Sequence, residues 1–133
     1  MERIMPLVRI SLIKGKPAAH IRAIADGVHQ ALTDTFGVPA DDRFQLIDQH
    51  ERDTFLYDAD YLGVHRTDDL VMITILASNW RDTAQKQALY RAIAENLTRA
   101  PGLRPEDVMV VLAPNQRDDW SFGNGLASYI TPA

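Results

Sequence analysis

Cysteine is absent from the 133 residues, which excludes disulfides, thiol nucleophiles and cysteinyl metal sites. No apolar run reaches the length of a membrane span. The opening Met1-Glu2-Arg3-Ile4-Met5-Pro6 lacks the apolar core of a secretory signal. Basic charge is also scarce: 14 Lys and Arg stand against 18 Asp and Glu, a net charge of −4 with a pI near 5.4. That balance argues against nucleic acid and membrane surfaces as partners. Against these absences stand 46% apolar and 24% charged residues, the composition of one folded domain over residues 1–133. A cytoplasmic location is the plain expectation.

Leu7 to Ile13 alternates as a strand, with Val8, Ile10 and Leu12 on one side and Arg9 and Ser11 on the other. Pro17 opens a helix whose stripe is Ile21, Ile24, Ala25, Val28, Leu32 and Phe36, and Gly37 and Pro39 end it. A second strand runs to His50, with Phe44 and Leu46 sharing a face. Residues 51–69 are polar and aperiodic, predicting a connecting loop or a hairpin. Leu70 to Ala77 reads as a buried strand. Asp82 with Gln85 forms the capping pattern of a helix carrying Leu89, Ile93 and Leu97. Pro101-Gly102 stops it, Asp107 to Ala113 is a further strand, and residues 114–133 form a tail with a strand-like run from Leu126 to Ile130.

Residues 6–50 and 70–113 thus repeat one order of strand, helix, breaker and strand. Arg22-Ala23-Ile24-Ala25 recurs as Arg91-Ala92-Ile93-Ala94, and Gly37 leading to Asp42 recurs as Gly102 leading to Asp107. Each βαβ unit should be right-handed with parallel strands. The predicted class is α/β (α+β): duplicated β-α-β units forming a four-stranded mixed sheet with two helices on one face. Two helices cover only one face, yet the strands are apolar on both. The other face needs a cover, either a second copy of the chain or the 51–69 loop.

Pro6-Leu7-Val8 entering a strand, Gly37-Val38-Pro39-Ala40-Asp41-Asp42-Arg43-Phe44-Gln45 after a helix, and Asp119-Trp120-Ser121-Phe122-Gly123 near the end together resemble the tautomerase superfamily. The resemblance is to its longer duplicated members, malonate semialdehyde decarboxylase and its relatives, and extends from Pro6 to Thr131. It implies a homotrimer, no cofactor or metal, a small carboxylate substrate, and an active site around an amino-terminal proline. A proline amine titrates near 8 when free, and apolar burial lowers that value, so it can act as base or acid near neutrality. A proline nitrogen inside a chain can do neither. Pro6 therefore requires a mature chain without residues 1–5, and Met5 before it offers a removable initiator. Otherwise Pro6 merely begins an edge strand.

Arg81 lies where a strand gives way to a helix, and its guanidinium can grip a carboxylate with two hydrogen bonds. The resemblance gives it the substrate carboxylate. It also gives the decarboxylases a further arginine where this chain has Asn79, which leaves a neutral amide in place of a charge. Asp42 matches an aspartate near the amine, and a turn or cap role is its alternative. Trp120, Phe122 and Tyr129 match pocket-wall aromatics, and core or interface packing is theirs. Arg43 reads as a structural or interface ion pair. Ser121 has no base at a telling spacing, and His20, His29, His50 and His65 form no metal motif, His50 being the best functional candidate among them. The leading expectation is keto–enol tautomerisation of a small 2-oxo acid or aryl pyruvate. The alternatives are decarboxylase or hydratase action of the malonate semialdehyde decarboxylase kind, or a non-catalytic oligomer with its proline blocked.

Overall fold

Apolar alternation and helical stripes set the architecture of a computed structural model that describes residues 6–78 and 81–130. β1 (Leu7–Ile13), α1 (Ala18–Phe36) and β2 (Phe44–His50) form one unit, and β3 (Val71–Ser78), α2 (Thr83–Arg99) and β4 (Val108–Asn115) the other. β1 and β2 are parallel, β3 and β4 are parallel, and β1 meets β3 antiparallel, giving the order β2-β1-β3-β4. Pro17 is the N-cap of α1, one position earlier than a first-turn proline. Gly37 ends α1 at φ 69°, a conformation that glycine adopts without penalty. Asp82 and Gln85 close a reciprocal capping box on α2.

Both helices lie on one face. Val8, Ile10 and Leu12 of β1 and Val71, Ile73 and Ile75 of β3 form a single core with Ile24, Val28 and Leu32 of α1 and Leu89, Ile93 and Leu97 of α2. The helices approach closely at Gly27, whose carbonyl accepts from Asn96 Nδ2 at 2.9 Å. The two stripes sit 65 positions apart, as do Gly37 and Gly102, and the buried pair Asp42 and Asp107. Arg22–Ala25 and Arg91–Ala94 are 69 apart and lie one helical turn out of that register. The same spacing sets Lys16 in correspondence with Arg81, and Pro6 with Val71.

The opposite face has two regions. At one end Phe55 packs with Ile13 and Leu70, and Tyr57 and Met72 join them. The 51–69 segment thus covers part of the sheet, but by single turns at Arg52–Thr54 and Tyr61–Gly63 rather than as a hairpin. Its polar groups are tied both within the segment and beyond it: Tyr57 Oη donates to Asp68, and Thr67 donates through N and Oγ1 to buried Asp107, both at 2.7 Å. Elsewhere this face is open and mixed, with Phe44, Leu46 and Val111 at 45%, 48% and 47% exposure around the ion pair of Arg9 and Asp48. Among the described residues no helix is long and apolar enough to cross a membrane. Leu126–Ile130 forms turns instead of a strand, because the tail's hydrogen bonds close on itself: Ser128 N–H donates to the Trp120 carbonyl, and Ser128 Oγ accepts from Phe122 N–H.

Candidate functional site

Strand direction brings the start of β1, the start of β2 and the ends of β3 and β4 to one edge of the sheet. Pro6 is buried there. Leu7 pairs with Phe44 and with Leu76, so extending the registers by one sets Pro6 between Arg43 and Ala77. Its side chain shares the helix-covered face with Val8 and Ile10. Asp42, 1% exposed, lies just before this edge, after the Gly37-Val38-Pro39 breaker. Its backbone N–H donates to the Pro39 carbonyl at 3.0 Å, closing a turn.

Arg81 follows β3 and is 6% exposed. Nη1 donates to the Ser78 carbonyl at 3.2 Å and Nη2 to the Phe36 carbonyl at 3.3 Å. The guanidinium carbon lies 4.2 Å from the centre of the Phe36 ring. Burial pulls this group down to about 10, and the electrostatic effect of Tyr129 works the other way. It remains a cation at neutral pH. A crevice beside it is lined by Phe36, Ala77, Ser78, Arg81, Lys86 and Pro114, among others, and has a volume of about 10 Å³, enough for one water.

The tail supplies an aromatic wall over the same edge. Trp120 Nε1 donates to Asn115 Oδ1 at 2.6 Å, at the end of β4. Trp120 and Phe122 stack with ring centres 5.3 Å apart, and Tyr129 meets Phe122 edge-on at 5.4 Å. Phe122 also reaches Phe44 of β2 at 6.1 Å. Arg117 clamps the tail: its guanidinium sits 5.3 Å from the Tyr129 ring centre and Nη2 donates to the Tyr129 carbonyl at 3.1 Å. Among the described residues no acidic side chain lines the crevice beside Arg81.

The edge therefore gathers Pro6, Asp42, Arg81, Trp120, Phe122 and Tyr129. Asn79 lies outside the described residues, as does Trp80. Arg43 faces α1, giving Nη2 to Asp26 at 2.7 Å and Nε to Gln45 at 2.8 Å, an ion pair within the chain. His50 sits at the far end of β2 against Phe55, away from this edge. Sequence reading missed Lys86 and Arg117. Lys86 was legible as the stripe position three before Leu89, filled by a charge. Arg117 carried no local signal, since its partner is twelve residues away.

Two tautomerase-enzyme family profiles match the chain, one over residues 42–123 and one over residues 6–64. The probable tautomerase YusQ of Bacillus subtilis (strain 168) is 44% identical over 126 residues, 95% of this chain and 99% of that protein. A crystal structure of malonate semialdehyde decarboxylase, described for its decarboxylase and hydratase activities, superposes with a TM-score of 0.86 at 36% identity, covering 93% of this chain and 95% of the other. A fused 4-OT described as a symmetric trimer shares the fold, with a TM-score of 0.73 at 20% identity over 90% of this chain and 94% of its own. With the duplicated sheet, the buried proline at its edge and these matches in both halves, the chain belongs to the tautomerase superfamily.

Proposed function

We propose that this protein is a cofactor-independent lyase that decarboxylates a small 3-oxo acid such as malonate semialdehyde, acting through Pro6 as its free amino terminus. The observation that carries this reading is the 36% identity to malonate semialdehyde decarboxylase over 93% of the chain, with Pro6, Asp42 and Arg81 at one sheet edge. Arg81 holds the carboxylate. The protonated Pro6 amine donates a hydrogen bond to the 3-oxo oxygen. As the bond between carboxylate and methylene carbon breaks, its electron pair passes into the enolate, whose oxygen faces the ammonium, and carbon dioxide leaves. The Pro6 ammonium then passes its proton to that carbon, which completes the aldehyde, and the amine recovers a proton from water. The Trp120 and Phe122 wall excludes water, strengthening the electrostatics around the amine. Asp42 near the amine favours its protonated form and can direct water for hydration of an unsaturated acid.

Keto–enol tautomerisation of a 2-oxo acid or aryl pyruvate is the second reading, favoured by the 44% identity to a probable tautomerase. It uses the same residues, with neutral Pro6 as base at carbon. The open face carrying Phe44, Leu46 and Val111 fits a homotrimer, the assembly described for the fused 4-OT.

Two forms of the protein, initiated at Met1 and at Met5, test the proposal. Initiator removal from the second exposes Pro6. Carbon dioxide release from malonate semialdehyde and ketonisation of an aryl enolpyruvate are measured for both. Activity confined to the Pro6-first form, and lost in Pro6→Ala, is expected. Equal turnover by a form whose intact mass retains residues 1–5 would overturn the role of Pro6. Ketonisation without decarboxylation would select the second reading.

A further inference from the structure

Lys86 occupies a position that packing alone does not favour. Along α2 it precedes Leu89, Ile93 and Leu97 by three, seven and eleven residues, the spacing of the buried stripe. In the first half the corresponding position, 65 earlier, is Ile21, which packs against the core. Replacing an isoleucine on such a stripe with lysine forfeits apolar burial unless the ammonium meets something worth the exchange. Among the described residues Lys86 makes no side-chain hydrogen bond or ion pair. It is half-buried and lines the crevice beside Arg81.

That crevice has two cations in its wall and no carboxylate among its described lining residues. Its 10 Å³ suits one oxygen atom. Ala77, another lining residue, becomes the neighbour of Pro6 when the pairing of β1 with β3 is extended by one, so the crevice lies one strand away from Pro6, which does not itself line it.

We propose that Lys86 is a substrate-binding residue which, with Arg81, grips one carboxylate oxygen in this crevice and supplies the second positive charge that Asn79 does not. This rests on the carboxylate-binding role given to Arg81 above and deepens it. The crevice takes a carboxylate oxygen in place of a water, the ammonium approaching from α2 and the guanidinium from the end of β3. Lys86 holds the substrate without exchanging a proton with it, so its loss raises KM and leaves kcat nearly unchanged.

The test is titration calorimetry of malonate, an inert dicarboxylate, into protein made from its native gene, beside kinetics on the same material. Lys86→Gln should weaken malonate binding at least tenfold and Lys86→Arg less than threefold. Lys86→Met, which restores an apolar stripe, should bind as weakly as Lys86→Gln while melting at or above the wild-type temperature. Steady-state kinetics should show the loss in KM. Malonate affinity unchanged in Lys86→Met, or a fall in melting temperature that accounts for its weaker binding, would overturn the proposal. Since calorimetry needs no turnover, failure of the Pro6 chemistry would appear as binding without catalysis and is told apart from failure of the Lys86 site.

Discussion

The guanidinium carbon of Arg81 lies over the ring of Phe36, 4.2 Å from its centre, and the same side chain donates to the carbonyl of that residue. Phe36 is the last residue of α1, so the cation sits at the negative end of a helix dipole. This contact holds the arginine in place before any carboxylate arrives, and it keeps the planar fork oriented. Arg81→Lys keeps the charge but cannot stack and bond in two directions at once. Loss of one charge-assisted hydrogen bond is worth about 1.5–3 kcal/mol. Carboxylate KM should therefore rise about ten- to hundredfold in Arg81→Lys, with a smaller change in kcat. Equal KM values for the two proteins would assign Arg81 to the helix end alone.

The same arginine predicts a pH dependence. Its proton is held less tightly than usual because burial disfavours the cation, down to about 10. Carboxylate binding needs the cation, so the contribution of Arg81 to affinity should hold steady below that value and decline as pH rises through it. On the Lys86→Met background, which removes the second cation, malonate affinity should fall about tenfold per pH unit above 10. Arg81→Gln should remove this alkaline limb. A limb that persists in Arg81→Gln belongs to another group.

Gly27 sets how closely the helices approach. A Cβ there would stand 2.8 Å from Leu97 Cδ2 and 3.3 Å from Asn96 Cβ. Alanine gains about 1 kcal/mol of helix propensity over glycine. Leu97 is fully buried, however, and moving it within a packed core costs about 1–3 kcal/mol. The packing term is the larger, so Gly27→Ala should lower the melting temperature by a few degrees and Gly27→Val by more. A rise in melting temperature for Gly27→Ala would show that the helices can separate freely.

Much of this fold was legible because its cues are local. The apolar alternation of Leu7–Ile13, the stripe ending at Gly37 and the box of Asp82 with Gln85 all lie within a few residues of the element they define. Leu126–Ile130 misled because an apolar run alone does not supply a neighbouring strand. Here Ser128 bonds back to Trp120 and Phe122. Asp42 and Asp107 look alike in sequence and are both buried, yet Asp107 is bonded by Thr67 from forty residues away. No spacing rule reaches that far. The site residues came from motif resemblance, and their convergence needed the antiparallel pairing of β1 with β3.

Arg43 donates to Asp26 at 2.7 Å and holds that carboxyl below its ordinary 3.8. A depressed carboxylate contributes stability that is present above the unfolded value and is lost as pH falls through the folded one. The pair is partly solvent-exposed, so its worth is about 0.2–1 kcal/mol. Asp26→Asn should be less stable than wild type in urea at pH 7, with the gap closing as pH drops below 3.8. A gap that stays constant across that range would trace to the amide itself rather than to the charge.

The exposed face predicts the assembly. Phe44, Leu46 and Val111 lie on the side of the sheet opposite the helices, and each is nearly half exposed. The 51–69 segment leaves this part uncovered, since its apolar contacts end at Ile13, Leu70 and Met72. Burying such a face between subunits stabilises by about 25 cal/mol per Å² of apolar surface, and a buried unpaired carboxylate reverses that gain. Val111→Glu, and to a lesser degree Leu46→Glu, whose neighbour on β1 is Arg9, should shift the protein from trimer to monomer in analytical ultracentrifugation. Circular dichroism should keep its helical signal, because neither side chain touches the helix-side core. A trimer that survives both substitutions would mean that the subunits meet elsewhere, and a monomeric wild type would leave this face to another partner.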